Sequence, residues 1–422
     1  MAKVTKEPGK KTKPETAQPG RIDKMAAALG ALGKVLKDDP DMVIKVNPAL
    51  LKESIPHLPT GSIILDHLIG GKPNAFGVSP CPGFPKGKII NIYGHESSGK
   101  TTMALTAAAE TCRNGGQVVY VDWEHELSLD YAKAIGVPVE DASKFLLIQP
   151  NTLEAGMKVL WTMANAGVDL LVIDSIGAGV PEDVFNQSID DQGGMGRIGL
   201  MAAKWSSFLP KFKVVLSRTG STCLGIAQTR TKIQTGGYGG DGVEVQGGKA
   251  WKFYSALRIL LRRVKSEKSN EYDAISHKKE EQVYGGVIKA KLDKCKVSAS
   301  ALHEAEYYIR WGEGIDDVRS IIEIAAAHGI IKKSGSWYAW ERPSGEAMKF
   351  QGTEGLRSAL LKDSKAWNEL KGLTMDKLGG SNEGLVQVDE DEEDEDEDLS
   401  FIDGPKGKGL SAIDDDDDMP DL

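Results

Sequence analysis

Gly94-His95-Glu96-Ser97-Ser98-Gly99-Lys100-Thr101 is the stretch around which the chain is organised. It satisfies G-x-x-x-x-G-K-[ST], follows the apolar Lys88-Ile89-Ile90-Asn91-Ile92-Tyr93, and runs into an alanine-rich segment ending near Cys112. A strand pattern before the motif and a helix pattern after it give the match physical meaning. The glycines let backbone N–H groups curl round a polyphosphate at the helix N-terminus, where the dipole is positive. Lys100 adds charge, and Thr101 supplies an oxygen for Mg²⁺. The expected ligand is a nucleoside triphosphate.

Outward from this loop, apolar strands alternate with helices. The patterns predict helix 100–113, strand 117–122, helix 129–135, strand 145–148, helix 153–166 and strand 169–174. Apolar strands separated by helices imply a mainly parallel sheet covered on both faces. Residues 70–85, rich in Gly and Pro, read as an irregular excursion. Residues 186–199 read as a mobile glycine-rich loop, followed by a helix from about Leu200 to Phe212. Strand 221–227 leads into a second glycine-rich loop, 233–248, and strands are expected around 252–263 and 283–293. Residues 314–373 form a compact appendage, with helix 315–328 and a hairpin including Trp337-Tyr338.

The chain has 422 residues and 40% apolar composition, enough for a large core. No apolar run approaches membrane-spanning length, and no secretory signal follows the basic start, so a cytoplasmic location is expected. Cys81, Cys112, Cys223 and Cys295 lack metal-ligand spacing and read as reduced thiols. The net charge of −9 conceals a division: residues 383–422 hold 18 acids and 2 bases, leaving 43 acids and 50 bases before them. A basic body suits a polyanionic partner. The organisation expected is a basic disordered leader (1–21), an amphipathic helix and linker (22–55), a nucleotide-binding core (56–313), a small domain (314–380) and a disordered acidic tail (381–422).

Two further stretches carry chemistry. Val168-Asp169-Leu170-Leu171-Val172-Ile173-Asp174 is an apolar strand ending in an acid, so Asp174 can hold the Mg²⁺ shell beside Thr101. Val121-Asp122-Trp123-Glu124-His125-Glu126 ends another strand at the phosphate side. Glu124 is the expected base for the attacking water and Glu126 its rival.

Taken together, Gly94 to Thr102, Asp122-Trp-Glu-His, Gln228-Thr-Arg-Thr-Lys-Ile233, Gly247-Gly-Lys-Ala-Trp-Lys-Phe-Tyr254 and Gly312-Glu-Gly-Ile315 resemble the RecA family of bacterial recombinases. The resemblance runs in order from about Ile22 to Tyr338. It implies a RecA-type P-loop ATPase core with a small N-terminal helix and a small α+β C-terminal domain. It also implies a DNA-dependent ATPase using ATP and Mg²⁺, forming a filament on single-stranded DNA and exchanging strands with duplex DNA. Single-strand-binding and loader proteins are the further partners expected.

On the matching positions, Gln228 resembles the residue that senses the γ-phosphate, and Tyr131 the tyrosine that stacks on adenine. The first glycine-rich loop and its helix offer Arg197, Lys204 and Lys211 to DNA; of these Lys204 and Lys211 resemble basic DNA-contacting positions of the family, and Arg230, Lys232, Ile233, Gly247 and Gly248 fall in segments that resemble its second DNA-binding loop. Lys294 and Lys296 resemble lysines that reach a neighbour's ATP, and Phe253 with Lys252 an interface. Ser128 and Ala227 depart from the family pattern, which has an acid and a polar residue there. The long leader and acidic tail suit a diverged member, such as one encoded by a bacteriophage. A ring-forming motor or a DNA-coating scaffold could share the same core.

Overall fold

The computed structural model describes residues 52–187, 194–231, 243–245, 247–273 and 278–380. A short antiparallel pair, β1 (His57–Leu58) and β2 (Phe84–Pro85), brackets helix α1 (Ile63–Gly70) and the irregular stretch after it. The chain then alternates: β3 (Ile89–Gly94), α2 (Lys100–Arg113), β4 (Val118–Asp122), α3 (Leu129–Ile135), β5 (Phe145–Ile148), α4 (Leu153–Ala166) and β6 (Leu170–Asp174). One turn, α5 (Glu182–Phe185), and a long helix, α6 (Gly194–Thr219), precede β7 (Thr222–Thr231). Next come β8 (Val243–Val245), α7 (Lys249–Tyr254), β9 (Leu257–Asp273), β10 (Lys278–Cys295), β11 (Glu304–Arg310) and β12 (Gly314–Ile315). The last region comprises α8 (Asp317–Ala327), β13 (Lys332–Ser334), β14 (Trp337–Glu341), β15 (Ala347–Gln351), α9 (Gly352–Lys362) and α10 (Ser364–Gly380).

The central sheet runs β12-β11-β10-β9-β3-β7-β6-β4-β5, with β8 paired to β7. The six strands from β9 to β5 are mutually parallel. Strands with apolar residues on both faces need cover on both, and they receive it. Ile90 and Ile92 of β3 share a core with Met103, Ala104, Ala107 and Ala108 of α2. Their alternates Ile89 and Tyr93 pack in the other core, with Leu153 and Leu160 of α4 and Trp205, Leu209 and Phe212 of α6. A fully buried aliphatic side chain such as Leu160 stabilises by about 1.5–3 kcal/mol relative to exposure.

Local signals set the helix ends. Thr152 caps α4 by accepting from the Ala155 N–H at 3.2 Å, and Asp316 caps α8 by accepting from Arg319 at 3.0 Å. The carboxylate of Asp317 ties the start of α8 to the start of α1, taking the Ser62 hydroxyl at 2.9 Å and the Ile63 N–H at 2.8 Å. Burial pushes that carboxyl up to about 6.

Three expectations need correction. Helix α6 begins at Gly194, where the loop 186–199 was expected to continue, and extends to Thr219 past Pro210. Its buried face, Met201, Trp205, Leu209, Phe212 and Leu216, recurs at helical spacing, and that packing outweighs the poor helix propensity of glycine. Residues 249–254, where a strand was expected to begin, are helical, and the strand starts only at Leu257. The hairpin strands β9 and β10 are also longer than expected, at 17 and 18 residues. The helix expected near Met25 to Leu36, the leader and the acidic tail lie outside the described residues.

Candidate nucleotide site and DNA interface

Parallel pairing brings the sequence-distant motifs level. Gly94 is in register with Gln228, and Asp122 with Asp174. The carboxyl ends of β3, β7, β6 and β4 therefore open on one crevice, the usual ligand position in an open α/β sheet. The loop after β3 enters α2 through Gly99, whose φ of 85° lies in the left-handed region. A Cβ there would stand 2.6 Å from Ile309 Cδ1, so glycine is required by both backbone and space.

Lys100 is 8% exposed, and its ammonium donates to the His95 carbonyl at 2.5 Å. Burial pulls its pKa down, opposed by Asp174, Glu124 and Glu96. The Thr101 hydroxyl donates to Asp174 Oδ2 at 3.0 Å, and the Tyr120 hydroxyl to the same oxygen at 2.6 Å. Burial drives the Asp174 carboxyl up to about 6. A cation here would relieve that cost. Among the described residues no cluster of three or more His, Cys, Asp or Glu could hold a metal alone. One carboxylate and one hydroxyl fit Mg²⁺, which keeps waters and takes remaining oxygens from phosphates.

Asp122 is buried and accepts the N–H groups of Glu124, His125 and Leu127 at 3.0, 2.9 and 3.2 Å, with Gln149 Nε2 at 3.0 Å. This clasp makes the turn that presents Glu124. The Glu124 Oε1 accepts the hydroxyl of Ser175 and, at 3.2 Å, Nε2 of Gln228. Glu126 is exposed.

A cavity of about 620 Å³ opens on Ser97, Ser98, Gly99, Lys100, Thr101 and Thr102, a volume within the usual range for small-molecule sites. Tyr131 lines it too, its hydroxyl 2.7 Å from Thr102 Oγ1. Ser128, at the departure from the family pattern, caps α3 by accepting the Tyr131 N–H at 3.2 Å. Four lining residues escaped the sequence reading: Arg263, Ser266, Val283 and Trp311. Only the position of Trp311, directly before Gly312-Glu-Gly-Ile315, could have signalled it; the others depend on how far the β9–β10 hairpin extends past the sheet.

The remaining candidates fall elsewhere. Lys294 pairs with Arg258, and Arg258 with Asn91, near the opposite end of β3 from the loop. Its Nζ donates to the carbonyls of Lys252 and Phe253 at 2.7 and 3.0 Å, and its pKa is lowered by burial and then by Lys296, Arg258, Lys213 and Lys252. Lys252 is exposed, and Phe253 is 67% exposed. This cationic patch therefore faces away from its own chain's nucleotide loop. Lys204 is paired with Glu154 at 2.9 Å and Asp183 at 3.5 Å; Lys211 is exposed on the same helix, which also carries Arg197. Arg230 is in β7, paired through its backbone with Glu244. Gly247 and Gly248, at φ of 94° and 80°, turn the chain into α7. Lys232 and Ile233 lie outside the described residues.

Residues 24–316 match the family model described as the RecA N-terminal domain. The chain belongs to the RecA family. It is 38% identical to Protein RecA of Helicobacter hepaticus over 80% of this chain and 89% of that one. Against Protein RecA of Mycobacteroides abscessus the identity is 37%, covering 78% and 86%. Against that of Chlorobaculum tepidum it is 33%, covering 90% and 99%. As a RecA-family member the chain is an ATP-dependent recombinase of DNA recombination and repair, and a DNA-dependent ATPase. Nucleotide use, DNA binding and filament formation go with the family. Among the described residues, no helix is long and apolar enough to cross a membrane.

Proposed function

We propose that the chain polymerises on single-stranded DNA in the cytoplasm, with ATP and Mg²⁺ held between successive protomers, and pairs the coated strand with homologous duplex. Lys100 and the N–H groups of the loop from Gly94 to Thr102 bind the triphosphate. Thr101 and Asp174 would hold Mg²⁺, which when bound neutralises charge developing on the phosphate oxygens. Glu124 orients the attacking water and accepts its proton. Gln228 couples that carboxylate to the segment beginning at Arg230. Lys294 and Lys296 reach the nucleotide of the next protomer, docked through Phe253 and Lys252, because their own loop lies toward the far end of the sheet.

The observation that carries this reading is the shared oxygen of Glu124, which takes Gln228 and the neighbour of Asp174 at once. The proposed base thus touches both the metal strand and the route to the DNA segments. Arg197, Lys204, Lys211, Arg230, Lys232 and Ile233 would meet phosphates and bases without reading sequence, leaving homology to base pairing.

The test combines single-strand-stimulated ATP hydrolysis, electron microscopy of the DNA complex and strand exchange. Helical filaments, stimulated turnover and loss of exchange in Lys100→Ala are expected. Closed rings would indicate a motor, and coated DNA without turnover a scaffold; either overturns the proposal.

A further inference from the structure

Gln228 is one link between the nucleotide and the two glycine-flanked segments. A second runs behind the crevice through three indoles. Trp123 directly precedes Glu124, Trp205 lies in α6, and Trp251 lies in α7, four residues after Gly247. All three are buried. Trp205 stands edge-on to both of the others, with ring centroids 6.0 Å away at 87° for Trp123 and 5.1 Å at 75° for Trp251. Edge-to-face contacts have a preferred geometry, so these rings resist sliding past one another.

Glycines clear the space the indoles occupy. A Cβ on Gly156 would stand 2.1 Å from Trp123 Cζ2, and one on Gly225 only 2.6 Å from Trp251 Cζ3. Gly225 is in β7, three residues before Gln228. Two of the rings are also tied to the chemistry. Trp123 Nε1 donates to the Thr152 carbonyl at 3.1 Å, and Trp205 Nε1 to the Ile176 carbonyl at 3.3 Å. Ile176 follows Ser175, whose hydroxyl holds Glu124, and Asp174, which takes Thr101. Three consecutive residues therefore hold the proposed metal ligand, the proposed base and the central indole. At the other end, a Cβ on Gly247 would meet Ile176 Cγ2 at 2.2 Å, and one on Gly248 would meet Ala202 Cβ of α6 at 3.0 Å. The exit of the second segment is thus packed on both Ile176 and α6. In an interior packed this closely, a shift of one ring displaces the next.

We propose that Trp123, Trp205 and Trp251 are positioning residues that transmit the state of the nucleotide site to both DNA-facing segments. They touch neither nucleotide nor DNA, and set the placement of α6 and α7 relative to Glu124. The inference rests on the reading above, in which Glu124 acts on bound ATP and the two segments hold single-stranded DNA.

Coupling between two ligands is reciprocal, so it is read as a ratio. In the full-length protein, the dissociation constant for a labelled oligothymidylate is measured by anisotropy with Mg²⁺, with and without a slowly hydrolysed ATP analogue. In Trp205→Leu the ratio of the two constants should fall about tenfold, while nucleotide-free DNA affinity and DNA-independent hydrolysis stay within about twofold. Trp205→Phe, which keeps a ring edge, should recover most of the ratio. Circular dichroism reports whether Trp205→Leu folds; should it not, Trp123→Phe and Trp251→Phe read the same ratio, with a loss of about threefold expected in each. An unchanged ratio in folded variants overturns the proposal. So does a parallel loss of basal hydrolysis and nucleotide-free affinity at constant ratio, which marks a structural role only. A wild-type protein whose DNA affinity ignores nucleotide sinks the underlying reading instead.

Discussion

Replacing Glu124 with glutamine separates proton chemistry from shape. Ser175 and Gln228 direct their hydrogens at one carboxylate oxygen, Oε1, the latter at 3.2 Å. A glutamine carbonyl can take that position and accept both, so no donor is orphaned and stability should change by less than about 1 kcal/mol. What disappears is an oxygen able to take a proton from water. Positioned general bases contribute about 10²–10⁴ in rate, or about 2.7–5.4 kcal/mol of barrier. Lys100, Thr101 and Asp174 remain, so triphosphate binding and nucleotide-dependent DNA binding should persist. The assay is phosphate release at saturating ATP and single-stranded DNA, alongside thermal unfolding and oligonucleotide anisotropy. Turnover should fall by about 10²–10⁴ with Tm within about 2 °C of wild type. Glu126→Gln, at an exposed site, should stay within about twofold. Retention of more than about a third of turnover in Glu124→Gln, or an equal loss in Glu126→Gln, would refute the assignment of the base.

Asp174 supplies a pH-dependent expectation for the nucleotide-free, metal-free protein. Its folded pKa of about 6 lies above the ordinary 3.8, so the folded state holds the extra proton and the carboxyl destabilises the fold above pH 6. That penalty is relieved as pH falls from about 6 toward 4. Both donors to this side chain meet Oδ2, which an asparagine carbonyl can replace. Asp174→Asn should therefore raise Tm at pH 7–8, with the gain vanishing near pH 4; an equal or lower Tm at pH 8 would contradict the burial argument. Deleting residues 383–422 removes 18 acids and 2 bases, and should tighten DNA binding most at low salt, where screening is weakest. Affinity unchanged across a salt titration would limit the tail to a solubilising role.

The nucleotide loop, the alternation of strands and helices, and the family were all legible in the order of the residues. Each depends on neighbours along the chain: a glycine that turns the loop into α2 at φ of 85°, and an apolar run such as Ile89–Gly94 directly before it. Asp174 drew notice as the acid that ends its strand, and Glu124 as an acid two residues past the end of another. Glu124 and Glu126, two residues apart, were not separable by spacing. In the structure Asp122 gathers three N–H groups into a turn that sets Glu124 against Gln228, while Glu126 is exposed.

Other features came from contacts between distant parts of the chain. A strand was expected from about residue 252, yet residues 249–254 coil after two glycines at positive φ and bury Trp251. Arg263, Ser266 and Val283 reach the cavity because β9 and β10 continue beyond the sheet beside β3. The opposed placement of Lys294 and the nucleotide loop follows from strand register, which a pattern of residues does not specify. The physical reason is common to all three: propensity and capping act over a few residues, whereas packing joins residues such as Trp123 and Trp205 that lie far apart in the chain.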